Sequence, residues 1–244
     1  MEAVPLIATF VGLVWLTWRR NRGPRRLSRA VHDNFDVDAT VAIHVAHREA
    51  TERNLAVSPI HLLYGLLQVE AFTSALAKLE LDAAAIERRA AAQLADKPTD
   101  AAEAMHLQAH ASIAAEHDGR TATITDLWSR LARTSAAELV GNPHGLLFVL
   151  VHGMTEPPAT HADPEVNITV RNDDYTPARF VSWLVHSIFE RSPEDAVATM
   201  RTAHEQGRAI IGRFATPRAI ELVTAARAKC REQGYPLWLE LEPW

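Results

Sequence analysis

"VRNDDYTPARFVSWLVHSIF", residues Val170–Phe189, passes from β-branched alternation to a helical pattern within a few positions. Between the two halves stand an amide and two carboxylates, Asn172, Asp173 and Asp174. Thr176 followed by Pro177 reads as a helix cap and first helical residue, and the helix dipole favours a carboxylate such as Asp174 nearby. That accounts for one acceptor. Asn172 and Asp173 remain crowded together with no fixed cation in the surrounding sequence, so their partner cation is expected to come from outside.

Outward from this segment the same pattern continues. "VNITVR" alternates as a strand, and "SPEDAVATMRTAHEQ" opens, like "TPARFVSWLVHSIFE", with a hydroxyl residue followed by proline. "GRAIIGRFA" reads as a second strand, "TPRAIELVTAARAKCREQG" as a long helix and "PLWLELEP" as a last strand. The order β-α-α-β-α-β predicts a small α+β domain over residues 166–244, a three-stranded sheet packed on helices. Before it, "GMTEPPATHADPE", residues 153–165, has the prolines and small residues of a linker.

Residues 35–152 read as all-α. "ATVAIHVAHREATERNLAVSPIHLLYGLLQ" carries Val41 and Val45, with Ala42, Ala46 and Ala50, at four-residue spacing. Ser58 and Pro59 then cap a helix containing Leu62, Leu63, Leu66 and Leu67. "MHLQAHASIAAEHDGRTATITDLWSRLAR" repeats this plan, with a turn at Asp118-Gly119 and Thr125 as the cap before Leu127 and Leu131. Val57-Ser58 and Ile124-Thr125 lie sixty-seven residues apart, which predicts a duplicated helical unit. Between them "LAKLELDAAAIERRAAAQL" supplies a further helix capped by Asp82.

At 244 residues the chain has room for one large or two small domains, and its 48% hydrophobic and 23% charged residues are ordinary for a folded protein. Residues 32–165 carry nineteen acids against nine bases, and residues 166–244 ten against ten. Neither part has the basic excess of a nucleic-acid binder. The one cysteine, Cys230, excludes an internal disulfide and is expected to be inert. "AVPLIATFVGLVWLTW", residues 3–18, has no charge and is followed by six arginines in "RRNRGPRRLSR". Its sixteen residues span about 24 Å as a helix, a little under the bilayer's hydrocarbon core. The arginines follow the apolar run rather than precede it, unlike a secretory signal. They predict a single-pass membrane anchor, residues 1–20, a basic juxtamembrane segment, residues 21–34, and soluble domains on the cytoplasmic side.

Enzyme readings find little. "HEQGR" lacks the second histidine of a zinc protease, His106 and His110 at i, i+4 read as solvated, and the ligand spacing of a calcium loop is missing. There is no nucleophile elbow, phosphate loop or Walker motif. A metal-dependent hydrolase using the histidines would require stoichiometric metal.

"EATERNLAVSPIHLLYGLLQ", "LELDAAAIERRAAAQL" and, more weakly, "GRTATITDLWSRLAR" resemble the double N-terminal repeat (Clp-N) of the Clp unfoldase ATPases. Residues 166–244 resemble ClpS, the adaptor that presents N-degron substrates to a Clp unfoldase–protease, through "NDDYTP", "AHEQGRAIIGRF" and "GYPLWLELEP" in family order. The resemblance implies a multidomain, non-enzymatic chain with no metal or cofactor. It implies that Asn172, Asp173, Asp174 and His204 surround the α-ammonium of a substrate, which has three donors. It implies a pocket for the first side chain, formed by Thr176, Ala178, Val181, Leu184, Met200, Ala203 and Leu237, that takes Leu, Phe, Tyr or Trp. His204 accepts only through a neutral ring nitrogen, so binding is expected to weaken in mild acid.

Three features depart from the family pattern. Ala178 and Ala203 replace a usual methionine and valine, which is expected to widen the pocket toward Trp and Phe. Pro217 and Leu222 stand where the family docks on the unfoldase through charged residues. The implied partners are N-degron proteins, a ClpA- or ClpC-like AAA+ unfoldase with its protease, and the membrane through residues 1–20. An alternative of another class is a membrane-tethered regulatory or scaffold module of a Clp ATPase that delivers no substrate.

Overall fold

Alanines and one glycine set the first layer in the computed structural model, which describes residues 34–95 and 101–244. α1 (Val37–Glu52) starts at Asp36, whose carboxylate accepts from the Ala39 N–H at 2.8 Å. Ala39, Ala42, Ala46 and Ala50 are buried along it with Ile43, while Val41 is 42% exposed. The small stripe therefore faces inward and the valine does not. α2 (Pro59–Leu66) packs there, and Gly65 permits the approach: a Cβ at that position would lie 2.0 Å from the Ala42 carbonyl oxygen. Ser58 caps α2 as expected, its N–H donating to His61 Nδ1 at 3.3 Å. α3 (Glu70–Lys78) and α4 (Ala83–Gln93) follow, α4 capped by Asp82 as expected.

α5 (Ala101–His117) and α6 (Ile124–Leu131) form the second pair. The cap of α6 is Thr123, not Thr125. Asp126 accepts from the Thr123 N–H at 2.8 Å, and Thr123 Oγ1 accepts from the Thr125 N–H at 3.2 Å. This capping box outcompetes the later hydroxyl because it satisfies two of the donors left free at a helix start. A 3₁₀ turn (Ser135–Val140) leads to α7 (Pro143–His152), a helix that apolar periodicity does not mark off. Trp128 Nε1 donates to the Pro143 carbonyl at 3.1 Å and fixes α7 against α6. One apolar core runs through these helices from Phe35 to Val149.

The C-terminal part follows the expected order: β1 (Glu165–Arg171), α8 (Ala178–Ser187), α9 (Pro193–Gln206), β2 (Arg208–Ala215), α10 (Thr216–Gln233) and β3 (Trp238–Pro243). The sheet order is β2-β1-β3, with both pairings antiparallel and an irregularity of register at Ile168/Thr169. Val166, Ile168 and Val170 of β1 point into a second core with Leu184, Val185, Leu222, Val223 and Ala226. Leu222 is thus a core residue, so that position belongs to no docking surface, while Pro217 is exposed. Cys230 is buried too, and desolvation pushes its thiol up to about 12.

Residues 153–165 run strapped along this part. The Arg227 guanidinium donates to the Pro157 carbonyl at 2.7 Å and to the Leu239 carbonyl at 2.5 Å, and Thr216 bonds the carbonyls of Asp163 and Pro164. The two cores meet through α7. Phe148 stacks on Trp238 at 5.4 Å, while His144 Nε2 lies 2.9 Å from the Tyr235 carbonyl and His152 Nε2 2.6 Å from that of Pro236. The expected anchor, residues 1–20, and the basic segment up to residue 33 lie outside the described residues. Among the described residues no single helix is long and apolar enough to cross a membrane.

Candidate functional site

β1 ends at Arg171, and the Asn172 N–H donates to the Gly207 carbonyl at 2.8 Å. Gly207 sits at φ +81, the left-handed residue that stops α9 and turns the chain into β2. One hydrogen bond therefore joins the acceptor-rich loop to the end of α9, where His204 occupies the last turn.

Within the loop the three acceptors have different fates. Asp173 Oδ1 accepts from the N–H groups of Tyr175 at 2.8 Å and Thr176 at 2.7 Å, and its Oδ2 accepts from Thr176 Oγ1 at 2.8 Å. The turn into α8 is thus built on Asp173. Thr176, expected as the cap, donates to it, and Pro177 takes the cap position. Proline has no N–H, so the helix start needs one partner fewer and Asp173 serves the residues before it. Asn172, Asp174 and His204 are exposed, and their side chains have no hydrogen-bond partner among the described residues.

These groups border a cavity of about 220 Å³. Its lining brings together Asn172, Asp173, Asp174 and His204 on the polar side and Thr176, Ala178, Val181, Met200, Ala203 and Leu237 on the side of the first residue's expected pocket. Leu184 is the exception. It lies one turn beyond Val181 along α8, fully buried in the core, and does not reach the cavity. Ala178 is exposed at the rim, and Ala203 is buried in the wall.

Burial pushes the Asp173 carboxyl above its ordinary value, against the lowering influence of its bonds to Thr176 and Tyr175 and of nearby His152. A cation entering the cavity would reverse that shift by favouring the ionised carboxylate. Arg171 also lines the cavity, but its guanidinium is held by Glu240 at 2.7 Å and lies over the Trp238 ring at 4.8 Å. Its charge is paired there with that of Glu240. No group of His, Cys, Asp or Glu among the described residues is placed to hold a metal ion. The His106 and His110 rings stand 6.4 Å apart.

Besides Val170 and Arg171 at the end of β1, two further contributors are not read from the sequence. Asp118 reaches the cavity from the turn after α5. α7 holds the segment before Leu237 through His144 and His152, whose pKa values burial pulls below the ordinary histidine value. For α7 a signal existed, Asn142-Pro143 ahead of the apolar run "HGLLFVLVH". For Asp118 the turn was legible, but its neighbour across the chain was not.

A family model described as the ATP-dependent Clp protease adaptor protein ClpS matches residues 161–240. The ClpS adapter of Nitratidesulfovibrio vulgaris is 35% identical over 75 residues, 31% of this chain and 75% of that protein. That of Pectobacterium carotovorum is 38% identical over 76 residues, 31% of this chain and 72% of that protein. Among solved structures, ClpS2 of Agrobacterium tumefaciens bound to L-phenylalaninamide is 30% identical, covering 34% of this chain and 100% of its own, with a TM-score of 0.32. Through residues 161–240 the chain belongs to the ClpS family of ATP-dependent Clp protease adaptor proteins.

Proposed function

We propose that the ClpS domain captures the free amino end of a substrate protein, holds a bulky apolar first side chain, and presents both to a Clp AAA+ unfoldase. The observation that carries the reading is the single cavity that joins free acceptors to an apolar wall. The ammonium is met by Asn172, Asp174 and His204, each charge-assisted bond contributing about 1.5–3 kcal/mol. Asp173 supplies negative potential while its lone pairs hold the loop in shape. A Leu, Phe or Trp side chain between Val181, Met200, Ala203 and Leu237 gains about 1.5–3 kcal/mol from burial. Alanine at 178 and 203 leaves room for the larger rings.

In this reading the helical part, residues 35–152, is a Clp-N-like double repeat. Support comes from two long helices with buried alanine stripes, α1 and α5, each followed by a short helix opened by a capping box. The apolar run in residues 1–20 anchors the adaptor at the membrane, restricting it to substrates found there.

Fluorescence anisotropy with peptides differing only at their first residue tests the side-chain half. Phe- and Trp-initiated peptides are expected to bind at least as well as Leu, and Ala-initiated ones poorly. Equal affinity for Phe and Ala would overturn the reading. A ranking of Leu above Trp would overturn the widened pocket alone.

A further inference from the structure

One residue of the cavity lies outside the segment that the ClpS relatives match. Asp118 belongs to the helical part, in the turn that ends α5. Its position is fixed on both sides. Gly119 at φ +68 closes the helix, and the Arg120 N–H returns to the Ala115 carbonyl at 3.0 Å. Arg120 then grips Asp126 with two bonds of 2.7 and 2.8 Å, and the Tyr175 hydroxyl donates to the same carboxylate at 3.3 Å. The Arg120 guanidinium lies 5.9 Å from the Tyr175 ring. The turn that carries Asp118 is therefore fastened to the loop that carries Asp173 and Asp174.

Asp118 and Asp174 also both line a smaller cavity of about 90 Å³, so they stand where the two cavities adjoin. The Asp118 side chain is 45% exposed. Its Oδ1 is in hydrogen-bond contact with His117 Nδ1 at 3.4 Å on the outer surface, and its Oδ2 is 3.8 Å from Arg120, whose guanidinium is committed to Asp126. Among the described residues no guanidinium is dedicated to Asp118, so its charge can act on a ligand.

We infer that Asp118 reads the second residue of the captured polypeptide, favouring Lys or Arg over Asp or Glu. The inference rests on the proposed capture of the first residue and adds to it a selectivity supplied by the helical part. With the first side chain in the larger cavity, the next residue begins only about 3.3–3.6 Å further along the chain. A cation leaving by the junction meets two carboxylates, and an anion meets the same two as repulsion. The contrast between the two peptides is on the order of ten-fold at low salt and shrinks as salt screens it.

The test uses the full chain and peptides labelled at their C-termini, beginning Phe-Arg, Phe-Glu and N-acetyl-Phe-Arg. The Phe-Arg peptide is expected to bind on the order of ten-fold tighter than Phe-Glu. With Asp174 still in place, Asp118→Asn narrows that ratio to about three-fold, and Asp118→Lys brings it to about one. An unchanged ratio in both variants, with the acetylated peptide still rejected, overturns the role of Asp118 and leaves amine capture standing. If the acetylated peptide binds as well as the free one, amine capture fails and this inference with it.

Discussion

In the proposed reading Asp173 has two roles, one in its own turn and one toward the ammonium, and substitutions separate them. Its oxygens hold three groups of its own turn, so Asp173→Ala is expected to lower thermal stability by about 1–2 kcal/mol, as loss of a helix cap does, and to lower peptide affinity as well. Asp173→Asn keeps an acceptor for the Tyr175 and Thr176 N–H groups, so its main effect is on affinity. Asn172→Ala, at an exposed side chain without internal partners, is expected to weaken a Phe-initiated peptide by about ten-fold or more at an unchanged melting temperature. Calorimetry and anisotropy on the same preparations decide these cases. The pH response follows from burial. The folded-state pKa of Asp173 lies above its unfolded value, so its contribution to stability is full below the unfolded value and lost as pH rises through the folded one. A bound ammonium favours the ionised form, so binding expels the proton and affinity falls as pH drops through the same window. In a His204→Asn background, titration across the acidic range should retain this fall, and adding Asp173→Asn should abolish it. The crowding of acceptors at 172–174 was legible in the sequence. Which acceptor the backbone consumes was not, because that depends on the turn geometry before Pro177.

Helices and strands were read well where periodicity or a hydroxyl–proline pair marks them, as at Ser58-Pro59 and Ser192-Pro193. Sequence pattern does not resolve the cap where two hydroxyl residues compete, at Thr123 and Thr125, or a helix that is apolar all round, as α7 is. α7 is the element that braces the cavity from behind. Its histidines each place Nε2 against a backbone carbonyl just before Leu237, and burial lowers both pKa values. Their folded values lie below the unfolded one, so the stability they contribute is present above about pH 6.5 and lost as pH falls toward the folded values. Thermal melts from pH 7.5 to 5 are expected to decline for wild type and less steeply for the double variant His144→Gln, His152→Gln. A different element test concerns the approach of α1 and α2. Gly65→Ala puts a methyl into the Ala42 carbonyl and is expected to cost about 1–3 kcal/mol, read from chemical denaturation.

At the scale of the molecule, the two cores and the succession of strands and helices around the second followed from sequence pattern. How they meet did not, because Phe148 on Trp238 and Asp126 with Tyr175 are pairings of residues far apart in the chain. The ClpS domain therefore carries a helical partner that touches its acceptor-rich loop, a reason for Asp118 to share its cavity. If residues 1–20 anchor the adaptor, their removal is expected to shift it from sedimented membranes to the supernatant. The most direct measurement compares one Phe-initiated peptide with its N-acetylated twin in titrations of the full chain. Saturable binding of the free-amine peptide is expected, with a loss of at least about ten-fold on acetylation, since the charge and most donors disappear while the side chain stays the same. Equal affinity for the two would contradict it.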